Sequence, residues 1–165
     1  MPMQTGRLTQ VPVRGWLRWL LRLPLWIYRA RLDWLLGERF LMLTHTGRKS
    51  GLRRYTVIEV VRADRAAGRY VVASGWGEHA DWLQNVQKTP QVIIAIAGRR
   101  YLARAARLAP ADAEQELAGY ARRHPVAFRA LSRLLLGRPL GSAPAELRRL
   151  GEVVPLICFA VNRQR

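Results

Sequence analysis

Short runs of strand length, separated by turn residues, dominate the middle of this chain of 165 residues. The runs are rich in apolar and β-branched residues, and they lie at 40–45, 55–62, 69–74, 92–97, 100–108 and 153–161. Helical spacing predicts a helix at 78–88, with Trp82, Leu83 and Val86 on one face, and two more helices at 111–123 and 125–136. Short antiparallel strands in chain order, with helices appended, favour an α+β fold built on a small β-barrel of about six strands.

Composition limits the number of domains and the cellular compartment. No linker or internal repeat divides the sequence, so we expect one domain over 1–165, with an N-terminal helical segment at 1–38 and the barrel at 39–165. Cys158 is the only cysteine, which excludes an intrachain disulfide and favours a reducing, cytoplasmic compartment. The three histidines are scattered, so no metal site is expected. The net charge of +17 points to an anionic partner or an anionic membrane surface.

Residues 14–36 predict an amphipathic helix. At about 100° per residue, the arginines share one arc of this helix and the tryptophans lie on the opposite side. The arginines are Arg14, Arg18, Arg22 and Arg29, and the tryptophans are Trp16, Trp19, Trp26 and Trp34. Such a helix suits peripheral contact with anionic lipid on the inner face of the cell membrane. The alternative is packing against the domain core or against a homodimer partner. Arginines interrupt every apolar stretch here, so we expect neither a signal peptide nor a transmembrane helix.

The stretch most informative about function is 44–51, Thr-His-Thr-Gly-Arg-Lys-Ser-Gly, followed by Arg53 and Arg54. Its glycines permit a tight turn that can aim several N–H groups at one point, and its cations surround that point. We therefore interpret the turn as an anion-binding loop. The alternative is a solvated hairpin turn with incidental arginines. A P-loop is excluded because Leu43 and Arg48 occupy the required glycine positions and a strand follows.

Two more segments complete a recognisable pattern. Residues 70–77 read Tyr-Val-Val-Ala-Ser-Gly-Trp-Gly, a strand ending in a loop of small residues, and 81–85 read Asp-Trp-Leu-Gln-Asn on the next helix. With 46–54, these segments resemble, in order and spacing, the deazaflavin-dependent nitroreductase family. The resemblance covers about 40–108 well. It implies a split β-barrel, similar to flavin reductases and pyridoxamine-phosphate oxidases.

The resemblance also implies a cofactor, coenzyme F(420), in preference to FMN. This coenzyme is an 8-hydroxy-5-deazaflavin hydride carrier with a phosphodiester and an oligoglutamate tail. The tail suits a cradle of cations, and the flat ring suits a pocket with glycine backbone and an aromatic wall. The implied cofactor-binding residues are Arg48, Lys49, Ser50, Arg54, Tyr55, Val57, Ala73, Ser74, Gly75, Trp76, Asp81, Trp82 and Asn85.

The implied reaction is hydride transfer to an electron-poor, lipophilic acceptor such as an enone, a quinone or a nitro compound. The sequence does not identify a single proton donor, and Ser74, Tyr55 and Tyr120 are weak catalytic candidates. Glu59 lies in a buried-looking strand and needs a partner, for which Arg54 is a candidate. We expect Glu59 beside the ring and 109–150 in the substrate wall. Two alternatives stay open: a non-catalytic carrier of coenzyme F(420) or a flavin, and, ranked third, a nucleic-acid-binding barrel.

Overall fold

The computed structural model of the chain describes residues 37–136, 140–141 and 143–161. Its centre is a closed barrel of six strands: β1 (Phe40–Thr46), β2 (Arg53–Asp64), β3 (Arg69–Ala73), β4 (Gln91–Ile96), β5 (Arg99–Arg107) and β6 (Leu156–Val161). The order around the barrel is β1-β2-β3-β6-β5-β4, and every neighbouring pair is antiparallel. The prediction of a barrel with about six antiparallel strands is confirmed.

Four helices accompany the barrel in the described part of the chain. They are α1 (Asp81–Lys88), preceded by a short 3₁₀ helix (Gly77–His79), then α2 (Pro110–Arg123), α3 (Pro125–Leu136) and α4 (Pro144–Val153). Helix α4 was not predicted, and the last strand begins at Leu156, so the expectation that this strand starts at Val153 is wrong. The helix is polar over most of its length and buries only Leu147 and Leu150, so its apolar signal is weak.

The barrel interior forms the main core. Alternate residues of each strand point inward, including Leu41, Leu43, Ile94 and Phe159, all of which are fully buried or nearly so. Helix α1 joins this core through the three residues predicted to share a face, Trp82, Leu83 and Val86. The predicted amphipathic face is therefore correct, and it closes one end of the barrel.

A second core lies outside the barrel. Helices α2 and α4 pack their apolar sides over the outer faces of β3 and β6, where Leu117, Tyr120 and Leu150 meet Val71 and Cys158. On the opposite outer side, Tyr55 of β2 and Leu102 of β5 remain more than half exposed. The helices thus cover one side of the barrel and leave the other accessible within the described residues.

Hairpin geometry corrects one detail of the prediction. The turn between β4 and β5 consists of Ala97 and Gly98, both with positive φ, whereas Arg99 is already paired with Ile96 in the sheet. Two central residues with positive φ match the right-handed twist of the flanking strands. The runs expected at 92–97 and 100–108 would place the turn at Gly98 and Arg99, which is wrong by one residue.

None of the helices in the described ranges combines the length and the apolarity that crossing a bilayer requires. The predicted amphipathic helix at 14–36 lies outside the described residues.

Candidate functional site

The 47–52 loop between β1 and β2 is closed by its own backbone. Gly47 N donates to Leu52 O at 2.8 Å, and Gly51 N donates to Gly47 O at 2.8 Å. Gly51 has φ +67°, which favours glycine, and a Cβ on Gly47 would lie 2.9 Å from Ser50 Oγ and 3.3 Å from Leu52 O. Gly51 is thus needed for its positive φ, and Gly47 is needed because a side chain there would collide with Ser50 and Leu52.

Arg48 attaches this loop to helix α1 through three separate groups. Its backbone N–H donates to Asn85 Oδ1 at 2.9 Å, and its carbonyl oxygen accepts from Lys88 Nζ at 3.0 Å. Its guanidinium donates to Asp81 Oδ1 at 2.8 Å and to Asn85 Oδ1 at 3.2 Å. The guanidinium lowers the pKa of the Asp81 carboxyl, mainly through this hydrogen bond. Arg48 and its partners therefore hold the loop in place on the helix.

The same network continues into the barrel. Asn85 Nδ2 lies 3.0 Å from His45 Nδ1, and His45 Nε2 lies 3.3 Å from Thr56 Oγ1. Both Asn85 and His45 are buried. Burial lowers the pKa of His45, and the neighbouring Arg54 lowers it further, while Asp81 opposes the shift. The neutral imidazole is thus the form that this site favours.

Three other cations remain at the loop. Lys49, Arg53 and Arg54 are exposed, and none forms an ion pair with the described carboxylates. Ser50 is exposed as well, and its hydroxyl accepts the Leu52 N–H at 3.3 Å. Exposed cations without described ion pairs beside a tight turn are suited to a flexible polyanion.

A groove that includes Arg53 opens on the outer side of the barrel that the described helices leave accessible. It has a volume of about 320 Å³ and is lined by Met42, Thr44, Arg53, Tyr55, Ile93, Ala95, Arg100, Tyr101 and Leu102. Strand pairing aligns Tyr55, Thr44, Ile93 and Leu102 across four strands, with Met42, Ala95 and Arg100 in the next row. The floor is mostly apolar, and an arginine stands at each end. Such a groove can hold a flat molecule that carries negative charge at its edge.

Comparison with known families decides the identity of the chain. Residues 22–132 match the model of the F(420)H(2)-dependent quinone reductase family. This chain belongs to that family. Membership confirms the predicted deazaflavin-dependent family, the prediction of a reductase, and coenzyme F(420) as the cofactor.

Solved structures similar to this F(420)H(2)-dependent quinone reductase family member share its fold. An F(420)-H(2) dependent reductase, FDR-A, is 19% identical, with a TM-score of 0.51, covering 74% of this chain and 95% of that chain. A protein described as a domain-swapped dimer is 18% identical, with a TM-score of 0.50, covering 82% of this chain and 98% of that chain. A putative pyridoxamine 5′-phosphate oxidase from Listeria innocua is 10% identical, with a TM-score of 0.50, covering 84% of this chain and 94% of that chain. These likenesses confirm the predicted split barrel. A search of curated proteins found no match.

In this family member, some of the predicted cofactor residues are already engaged elsewhere. Trp82 is buried in the barrel core, and Asn85 and Asp81 hold Arg48. Ser74 is fully buried, and its hydroxyl donates to Gly77 O at 2.8 Å, so it stabilises the turn after β3. By contrast, Gly75 and Trp76 are exposed on that turn. Ala73 ends β3 half-buried, and Val57 is half-buried on β2 opposite Met42.

Glu59 does not line the groove, and its predicted partner is wrong. Arg54 and Glu59 are five positions apart on one strand, so their side chains point to opposite faces. Glu59 instead accepts a hydrogen bond from Tyr120 Oη at 3.0 Å and lies 3.6 Å from Arg39 Nε. Tyr120 is a buried residue of helix α2, and burial, then the Glu59 charge, raises its pKa to about 12. This tyrosine is thus a structural hydrogen-bond donor.

The groove itself was largely missed from the sequence. Tyr55 is its only member among the predicted cofactor-binding residues, and Arg53 was noted only as a cation of the anion-binding loop. Arg100 and the apolar floor were not singled out, and the described residues of 109–150 do not line the groove. Alternation along β2 places Arg53 and Tyr55 on one face, which was a readable signal. The pairing of β1 with β4, which completes the floor, has no such signal in the sequence.

Proposed function

We propose that this reductase transfers hydride from reduced coenzyme F(420) to an electron-poor, lipophilic acceptor such as a quinone, an enone or a nitro compound. The observation that carries the proposal is Arg53, which lines an apolar groove and belongs to the same loop region as Lys49 and Arg54, two more exposed cations without described ion pairs. A cofactor with a polyanionic tail and a flat ring fits both parts of this surface.

The tail belongs at the 47–52 loop. Lys49, Arg53 and Arg54 supply positive charge there, and Ser50 adds a hydroxyl. Arg48 contributes mainly by fixing the loop, because Asp81 already pairs with its guanidinium. Hydrogen bonds to charged groups contribute about 1.5–3 kcal/mol each, and screening at this exposed surface favours the lower end.

The ring belongs in the groove. The volume of about 320 Å³ lies at the lower end of the range for small-molecule sites, roughly 300–1,000 Å³. Met42, Ile93 and Ala95 offer an apolar floor, and Tyr55 offers an aromatic edge. The exposed Gly75 and Trp76 remain proposed contacts from the turn after β3.

The reduced coenzyme supplies the hydride, and the protein must manage the charge that the acceptor gains. Arg53 and Arg100 line the groove and can stabilise an oxyanion that develops on a quinone or an enone. Tyr55 and Tyr101 both line the groove, and Tyr55, the more exposed of the two, is the one proposed to donate a proton to that oxygen. Tyr120 is unsuited to this role because it is buried and bonded to Glu59.

The test is to mix purified protein with reduced coenzyme F(420) and a panel of quinones, enones and nitroaromatics, and to follow cofactor oxidation. We expect acceptor-dependent oxidation, with Tyr55→Phe lowering the turnover rate more than cofactor affinity. Binding of the cofactor without oxidation by any acceptor would indicate the non-catalytic carrier instead. Absence of cofactor binding would contradict both functions.

For residues 14–36 we propose peripheral contact with anionic lipid, supported by the separation of arginines from tryptophans in the sequence. Flotation with liposomes containing anionic phospholipid compares the full chain with a version lacking 1–37. Equal flotation of the two would rule the contact out. A dimer that forms only with the full chain would support the packing alternative.

A further inference from the structure

We propose that Asn85 is a positioning residue that holds the 47–52 loop through Arg48 and makes this hold dependent on the protonation of His45. The effect on cofactor affinity rests on the proposed function, whereas the coupling between the three residues does not. No contact between Asn85 and the cofactor is required.

The donors and acceptors of Asn85 have only one consistent arrangement. Its Oδ1 faces two donors, the backbone N–H and the guanidinium of Arg48, at 2.9 and 3.2 Å. Its Nδ2 therefore points the other way and donates to His45 Nδ1 at 3.0 Å. His45 Nδ1 must then be an acceptor, and its proton lies on Nε2, which faces Thr56 Oγ1 at 3.3 Å.

Protonation of His45 breaks this arrangement. An imidazolium would place Nδ1–H against the NH₂ group of Asn85, two donors in contact with no acceptor between them. The charged groups near the ring are Arg54 from β2 and Asp81 from α1, and the Arg48 guanidinium lies on the same amide. Because two cations and only one acid surround the ring, the positive charge of the imidazolium is not stabilised by its neighbours. Asn85 must rotate or withdraw, and the Arg48 N–H then loses its acceptor.

The loop depends on that acceptor. Of the residues on helix α1 that hold Arg48, Asn85 is the most deeply placed, because Asn85 is buried while Asp81 is largely exposed. Losing it leaves the loop held by Asp81 and Lys88, whose contacts with Arg48 are exposed to solvent. We therefore expect acidification to loosen the loop and, with it, the positions of the neighbouring cations Lys49, Arg53 and Arg54.

Replacing the amide by a carboxylate reverses the dependence. In Asn85→Asp, neither oxygen can donate to a neutral Nδ1, whereas both can accept from an imidazolium and from Arg48. Protonated His45 then favours the closed loop. Gln87→Asp is the matched control, because it places the same charge at an exposed position on the same helix.

The experiment is an NMR titration of the histidine ring protons between about pH 5 and pH 8, combined with hydrogen exchange of the loop amides. We expect His45 to titrate below its ordinary pKa in the wild type and in Gln87→Asp, and above it in Asn85→Asp. Protection of the Arg48 amide should fall on acidification in the wild type and rise in Asn85→Asp. The same His45 pKa in all three proteins would overturn the proposal. So would loop protection that does not follow the titration.

Cofactor titration over the same pH range extends the test. Below the His45 pKa, affinity for coenzyme F(420) should fall by up to about tenfold per pH unit in the wild type. In Asn85→Asp, affinity should not fall. If Asn85→Asp does not fold, His45→Gln is the replacement variant, because it should abolish the loss of cofactor affinity on acidification. A loss of affinity that persists in His45→Gln would overturn the proposal. If no cofactor binds at any pH, the proposed function fails, and the NMR titration still decides the coupling.

Discussion

The hydrogen bond between Tyr120 and Glu59 predicts an unusual dependence of stability on alkaline pH. Tyr120 is only 3% exposed, and its hydroxyl lies 3.0 Å from Glu59 Oε1. Tyr120→Phe removes this oxygen and leaves the packing of the ring unchanged. The Glu59 carboxylate keeps Arg39 at 3.6 Å and is itself about one-third exposed, so it is not stranded.

The structure gives the magnitude of the effect. Hydrogen bonds to charged groups contribute about 1.5–3 kcal/mol, and the exposure of Glu59 reduces this to about 1–1.5 kcal/mol. The pKa of Tyr120 is raised from 10.0 to about 12, so the folded state holds the phenol proton over a range where the unfolded chain loses it. Because the pKa is raised, this stabilisation is fully present below pH 10 and is lost as the pH rises through about 12. Two pKa units set an upper limit of about 2.7 kcal/mol.

Urea unfolding near neutral pH and near pH 11 measures both parts. Near neutrality, Tyr120→Phe should lower the free energy of unfolding by about 1–1.5 kcal/mol. Toward pH 11 the difference between the variant and the wild type should shrink. Tyr55→Phe is the control, since Tyr55 is exposed on the other side of the barrel. An equal difference at both pH values would refute the argument that Tyr120 retains its proton because of burial and Glu59.

Three further predictions concern the loop and its surroundings. Arg54→Ala should weaken binding of coenzyme F(420) about tenfold in a fluorescence titration, whereas Arg99→Ala, an exposed arginine at the far end of the barrel, should have little effect. The free energy of unfolding should fall as the pH drops below about 6.5, because the folded state resists protonation of His45 and the unfolded chain does not; acid titrations of His45→Gln should show a smaller decrease. Gly51→Ala should cost about 1 kcal/mol or more in thermal or urea unfolding, since alanine is strained at φ +67°; an unchanged midpoint would contradict the positive φ.

The sequence predicted the strands better than the contacts between distant segments. Alternation of apolar residues and glycine turns located all six strands to within a few residues, because each signal is local. Helix α4 was missed because only Leu147 and Leu150 face the core, although Pro144 at its first turn was a usable start signal. The buried face of helix α1 was predicted correctly for the same reason, because the spacing of Trp82, Leu83 and Val86 alone places them on one side.

In the candidate site, contacts between segments that are distant in the sequence could not be predicted from local patterns. The 47–52 loop was recognised from its glycines and cations, but the sequence does not reveal that Arg48 meets Asn85, 37 positions away. Asp81, Asn85 and Trp82 stay predicted cofactor contacts, and the structure shows in addition that Asp81 and Asn85 anchor the loop and that Trp82 packs in the barrel core. Glu59 was paired with the wrong arginine, an error that counting positions along β2 would have avoided.

The position of β6 has a consequence for biosynthesis. This strand follows every other described element in the chain, yet it lies between β3 and β5 and supplies hydrogen bonds to both. Until it leaves the ribosome, β3 and β5 present free edges that can pair with other nascent chains. We therefore expect translation to produce a transient, aggregation-prone open sheet, so that rapid completion of the chain or a chaperone bound to those edges governs the yield of native protein.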